Sequence, residues 1–148
     1  MTKKSALPVA LVAVAALLAI PTGCGRHHGH ADPARVDRFV TAHLDDALDD
    51  LDATAPQRAR VHELKDKLLK DGAALHQGQR DARKELVAQW DSDRPDAAKV
   101  HALVDARIDA IRAFAHEAAD AGLELHGILT PEQRAKVSKK IHRRMDDK

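Results

Sequence analysis

The sequence predicts an all-α protein: a long antiparallel helical hairpin flanked by two short helices, four helices in all. Three observations carry that expectation. Two Thr-x-x-Gln pairs, Thr54/Gln57 and Thr130/Gln133, each precede an amphipathic run. Apolar residues recur with helical spacing along most of the chain after residue 32, the pattern of helices with one buried face. No stretch alternates apolar and polar residues as a half-buried strand would.

The Thr-x-x-Gln pairs mark helix starts. A Thr at the N-cap accepts a hydrogen bond from the third amide of the helix, and a Gln at that third position reaches back to the N-cap amide. Pro56 and Pro131 stand in the first turn, where the missing N–H costs little. Each copy continues into Gln-Arg-Ala-(Arg/Lys)-Val, at 57–61 and 133–137. This similarity is read as an internal repeat.

The first helix opens at Asp32-Pro33, with Val36, Phe39, Val40, Leu44, Ala47, Leu48 and Leu51 on its apolar stripe. The second runs from Thr54 to Trp90 with Val61, Leu64, Leu68, Leu75, Ala82, Leu86 and Trp90. Gly72 and Gly78 interrupt it at a cost of about 1 kcal/mol each relative to Ala, marking either a bend or a close approach. Asp91-Ser92-Asp93-Arg94-Pro95 is the central break. A third helix is expected from Pro95 to Leu129, and a fourth from Thr130 carrying Val137 and Ile141.

Residues 1–24 read as an export signal: Lys3 and Lys4 precede the apolar stretch Ala6 to Ile20, and small residues follow. Cys24, the single cysteine, excludes an intramolecular disulfide. Its place after Thr22-Gly23 resembles a lipoprotein signal, with lipidation at Cys24 as the favoured reading and an unmodified thiol as the other. Attachment to a membrane is expected only through that anchor. Residues 25–31 form a short tether, and residues 32–148 form the helical domain.

After Cys24 the charges nearly balance, and aromatics make up 2% of the chain. A nucleic-acid ligand is therefore not expected, since it calls for a basic face and stacking rings. The charges are segregated, however. Residues 32–53 are rich in Asp and residues 130–148 in Lys and Arg, so the two ends are expected to attract each other within one chain or between two. Two long rods side by side enclose little core, so a homodimer is expected to close the fold.

Leu129-Thr-Pro-Glu-Gln-Arg-Ala-Lys-Val137, with its second copy at Thr54 to Val61 and the turn Arg94 to Val100, resembles the LTxxQ motif pattern of the Spy/CpxP family of bacterial periplasmic proteins. That resemblance implies a cradle-shaped antiparallel homodimer that binds unfolded or misfolded envelope proteins without ATP. It also implies relatives that bind or sense heavy metals. The chain departs from the pattern at Ala53, where the motif has Leu, and in its acidic first helix. A concave face mixing apolar and charged patches can hold an unfolded segment loosely. The candidate contacts are Arg58, Lys65, Arg80, Arg83, Arg107 and Arg112, with Leu69, Ile108 and Phe114 as apolar neighbours.

Metal binding is the alternative function. His27, His28 and His30 are close enough for two or three imidazoles to meet one Zn, Cu or Ni ion, although no cofactor is required by the leading reading. The pairs His62–Asp66, His101–Asp105, His116–Asp120 and His142–Asp146 have the i, i+4 spacing of exposed ion pairs. His62-Glu63 and His116-Glu117 each lack the second His of a zinc-protease helix. No nucleophile elbow or phosphate loop is present, so an enzyme is not expected.

Overall fold

The structure, a computed structural model, describes residues 32–146. The export signal, Cys24 and the tether histidines lie outside the described residues. Four helices follow in order: α1 (Pro33–Asp50), α2 (Ala55–Trp90), α3 (Ala97–Ile128) and α4 (Pro131–Asp146). Among the described residues there is no strand, and the expected all-α hairpin with two short flanking helices is what forms.

The helix starts follow the capping chemistry. Asp32 accepts from the Ala34 amide at 3.1 Å and Pro33 occupies the first turn. Thr54 and Gln57 make a reciprocal capping box. The one displaced start is α3, which begins two residues after the expected Pro95. Asp96 is the N-cap, accepting from the Lys99 amide at 3.1 Å, while its own amide donates to Gln89 Oε1 at 3.0 Å. Those two bonds leave Pro95 in the turn. The far end stops at Ile128, because Leu129 is already extended (φ −81°, ψ 143°).

The two long helices run antiparallel through an ordered ladder. Arg60 pairs with Glu124, Lys67 with Glu117 at 3.2 Å, and Lys99 with Glu85; Arg107 donates to the Leu75 carbonyl at 2.8 Å. The partners advance along α2 as they recede along α3, so one register satisfies every rung. The ion pairs are half exposed, and each contributes little alone. Apolar burial contributes more.

That burial is uneven. Leu48, Leu51, Ala53, Val61, Phe114, Ala118 and Leu129 are buried, with Leu44, Leu125 and Ile128 packed alongside. Most lie where α1 and α4 meet the base of the hairpin, while Phe114 packs against Gly72 half-way along α2. Towards the tip only two helices remain. Leu86, Val87, Val104, Ile108 and Ile111 are exposed there, and Trp90 is 86% exposed. The apolar stripe is core only where a third layer covers it. α2 is about 54 Å long at 1.5 Å per residue, longer than either short helix can cover.

The glycines in α2 separate into two cases. A Cβ on Gly72 would meet the Phe114 ring at 3.4 Å, a van der Waals contact, whereas one on Gly78 would meet nothing within 4 Å. Gly78→Ala is therefore expected to raise stability by about 0.5–1 kcal/mol through helix propensity alone. A urea titration reads this as a higher midpoint at unchanged slope.

The segregated charges meet within the chain. Lys136 pairs with Asp52 at 2.9 Å and Lys140 with Asp50 at 2.8 Å. Asp52 is the one non-glycine residue with positive φ (52°) among the described residues, at the sharp corner between α1 and α2.

Candidate functional site

The two repeat copies meet. Gln57 Oε1 accepts from the Thr54 amide at 2.9 Å, and Gln133 Oε1 accepts from the Thr130 amide at 2.8 Å. Each Gln then uses its Nε2 outside its own helix. Gln57 Nε2 donates to the Ile128 carbonyl at 2.8 Å and to Gln133 Oε1 at 2.9 Å. Gln133 Nε2 donates to the Leu51 carbonyl at 3.1 Å and to Gln57 Oε1 at 3.2 Å. The result is a nearly two-fold clasp in which each amide completes the other's hydrogen bonds, and Gln133 is 7% exposed.

The next residue of each copy belongs to the same device. Arg58 Nε donates to the Ala53 carbonyl at 3.0 Å, and Arg134 Nη1 to the Leu129 carbonyl at 2.8 Å, each reaching five residues back. Arg58 also pairs with Asp49 at 2.6 Å. The sequence offers Arg58 as a client contact, whereas the structure engages it in closing the corner between α1 and α2.

Acid–base rungs continue along α1. Asp49–Arg58, Asp45–His62 at 2.9 Å and Asp37–Lys65 at 2.6 Å descend one helix as they climb the other. Here the sequence expectation needs correcting. His62 meets Asp45 across the helices instead of Asp66 on its own, because Asp66 is taken by Lys65 at 2.7 Å. No ion pair forms among the described residues for His101, His116 or His142. Lys65 is a second candidate contact already engaged: its side chain is 10% exposed and also donates to Thr41 at 2.8 Å. Burial opposes its charge, but Asp37 and Asp66 outweigh that and hold its pKa above the ordinary lysine range.

The carboxylates facing these lysines are held below their usual range. Asp37 is lowered chiefly by the hydrogen bond from Lys65, and Asp50 chiefly by that from Lys140. A depressed folded pKa favours folding above the unfolded value, 3.8 for Asp, and that contribution is lost as pH falls through the lower folded value. Thermal stability is therefore expected to be flat above about pH 5 and to fall below pH 4. Asp37→Asn and Asp50→Asn should each flatten that acid limb in melting curves.

The remaining candidates separate clearly. Phe114 is buried against Gly72, and Arg107 ties α3 to α2. Leu69 is half-buried beside Val36 at the edge of α1, in a cleft that Ala73, Asp66 and Lys70 complete. Arg80, Arg83, Ile108 and Arg112 are exposed, the first two in the outer half of α2 and the last two level with His76 and Gly72, near the middle of the hairpin. Arg80 bonds Gln77 and Arg112 pairs with Asp109 on their own helices. By helical periodicity, Arg83, Val87 and Trp90 lie on the side of α2 away from the ion-pair ladder, as do Val104, Ile108 and Ile111 on α3. Val104, Ile111 and Trp90 are exposed because the short helices end before they reach them.

The sequence profile described as LTXXQ motif family protein matches residues 40–140. The chain belongs to the LTXXQ motif family. That family includes Spy/CpxP-like proteins, is typically periplasmic, and is generally made of non-enzymatic chaperone-like or metal-resistance proteins. No match was found among curated proteins or among solved structures. In this LTXXQ protein the family motif is structural: both threonines and both glutamines build the clasp. The matched span holds the clasp, the ladder and the bare tip, and ends before Ile141. Among the described residues no helix is long and apolar enough to cross a membrane, and no group of three or more His, Cys, Asp or Glu side chains is placed to hold a metal.

Proposed function

We propose that this LTXXQ protein is an ATP-independent periplasmic chaperone that holds unfolded or misfolded envelope proteins and keeps them from aggregating. The observation that supports it is the uncovered outer half of the hairpin. Val87, Trp90, Val104, Ile108 and Ile111 are exposed from its middle to its tip on two helices, with Arg83 and Arg112 along the same stretch. Apolar patches of this kind on a soluble domain mark interaction surfaces. Cations set among them add long-range attraction for an acidic or partly unfolded chain. A homodimer, lipidation of Cys24 and anchorage through it belong to the same reading.

The test is light scattering of a denatured client, with the chain from Gly25 added in EDTA and without ATP. Suppression at near-equimolar amounts, weakened by Ile108→Ser combined with Val104→Ser, is the expected result. Absence of suppression under all conditions refutes the proposal. Suppression only after Zn or Cu is added shifts the assignment to metal control through His27, His28 and His30, whose close spacing favours that second reading.

A further inference from the structure

Burial in the hairpin stops at one level. Phe114, packed on Gly72, is the outermost buried side chain, and none of residues 73–113 is buried. The cleft that α1 makes with Leu69 ends at Ala73, so α1 adds no cover beyond it. The register of the ladder sets Ala74, Gly78 and Ala82 level with Ala110, Ala106 and Ala102. The stretch just beyond Phe114 is therefore rich in small residues that bring little apolar area. Farther out, Leu75, Val100 and Leu103 are half-buried and Leu86 is 37% exposed. Polar contacts hold the two helices together here. Arg107 crosses from α3 to the Leu75 carbonyl at 2.8 Å and to Gln79 Oε1 at 3.4 Å. Lys99 pairs with Glu85, and the Asp96 amide donates to Gln89 Oε1 at 3.0 Å.

We propose that the outer half of the hairpin, residues 73–113, melts as a unit of its own while the base stays folded, and that the melted arms are a client-accepting form. Segments with few buried apolar contacts open at a lower free energy than the whole fold. Each arm is little longer than the roughly 12–15 residues below which an isolated helix is marginal in water. Gly78 weakens one of them further, through the backbone freedom it gains on melting. The base has what the arms lack: a buried core, the glutamine clasp, and the rungs from α1 and α4. Melting frees Leu75, Leu86, Val100 and Leu103 to join the exposed Val87, Trp90, Val104 and Ile108. A segment that can re-pack in this way suits clients of many shapes. The role given to the melted arms rests on the chaperone reading; the melting itself does not.

The test is peptide-resolved hydrogen exchange of the chain from Gly25, followed as urea is raised below the unfolding transition. Amides of residues 76–90 and 100–111 should exchange about tenfold or more faster than those of 61–71 and 115–125. They should share one urea dependence, with a step at the level of Phe114. Val61→Ala, in the base, should speed the base amides by about tenfold and leave the outer ones unchanged. Arg107→Ala should speed the outer amides by about fivefold. Uniform protection along the hairpin, whether from one cooperative fold or from cover by a second copy, overturns the melting. So does a gradual rise towards the tip with no shared urea dependence, or equal acceleration of both halves by Val61→Ala. Addition of a reduced and carboxymethylated client, which stays unfolded, should raise exchange in the outer half further. Slower exchange there would put clients on the folded surface and overturn the role. The aggregation assay reads neither the step nor the urea dependence, so the melting and the chaperone reading fail separately.

Discussion

Gln133→Glu is expected to lower stability by about 2–4 kcal/mol, although it replaces one amide nitrogen by oxygen. Nε2 is the donor in the bonds to the Leu51 carbonyl and to Gln57 Oε1. A carboxylate in its place would set an anionic oxygen against two acceptors, in a site 7% exposed to water. The capping bond from the Thr130 amide to the other oxygen survives, so α4 still has its start. What is lost is the junction between the halves of the chain. A urea titration should show a lower midpoint, and a double-mutant cycle with Gln57→Ala should be non-additive by about 0.5–3 kcal/mol, as for residues sharing one network.

The second large effect separates folding from binding. Phe114→Ala should cost about 3–5 kcal/mol, the usual range for an aromatic removed from a core. Its ring lies over Gly72, where no side chain can move in to fill the space. Ile108→Ser, on the same helix but 48% exposed, should change stability by about 0.5 kcal/mol or less while weakening suppression of aggregation. If Phe114→Ala instead left the melting temperature unchanged and abolished suppression, Phe114 would be a client contact and its burial would have to be relieved when a client binds.

Local chemistry was legible in the sequence because it depends on residues a few positions apart. Asp32 and Thr54 declare their helix starts through side chains that bond within three residues. The meeting of Gln57 with Gln133 was not legible, since it depends on two distant segments arriving at one place; only the repetition of Thr-x-x-Gln-Arg hinted at equivalent surroundings. Periodicity likewise shows which face of a helix is apolar and not how far its cover extends, so Val61 and Ile108 look alike in sequence and differ in burial. His62 shows the same limit. Its i, i+4 partner Asp66 was available by spacing, but Lys65 and α1 changed the competition. The attraction between acidic and basic ends was visible as charge and became specific only as the pairs of Lys136 and Lys140 with Asp52 and Asp50.

The nearly bare indole at the hairpin tip makes the molecule its own optical reporter. Trp90 is the one tryptophan, and the chain has no tyrosine, so ultraviolet emission excited in the indole band comes from that single site. In the isolated subunit its surroundings are aqueous, as they are in the denatured chain, and melting the base of the hairpin should leave the spectrum nearly silent. Anything that settles on the tip, whether a client or a second copy, will move the emission towards shorter wavelength. Occupancy of the tip can therefore be followed without a label, separately from whether the chain is folded.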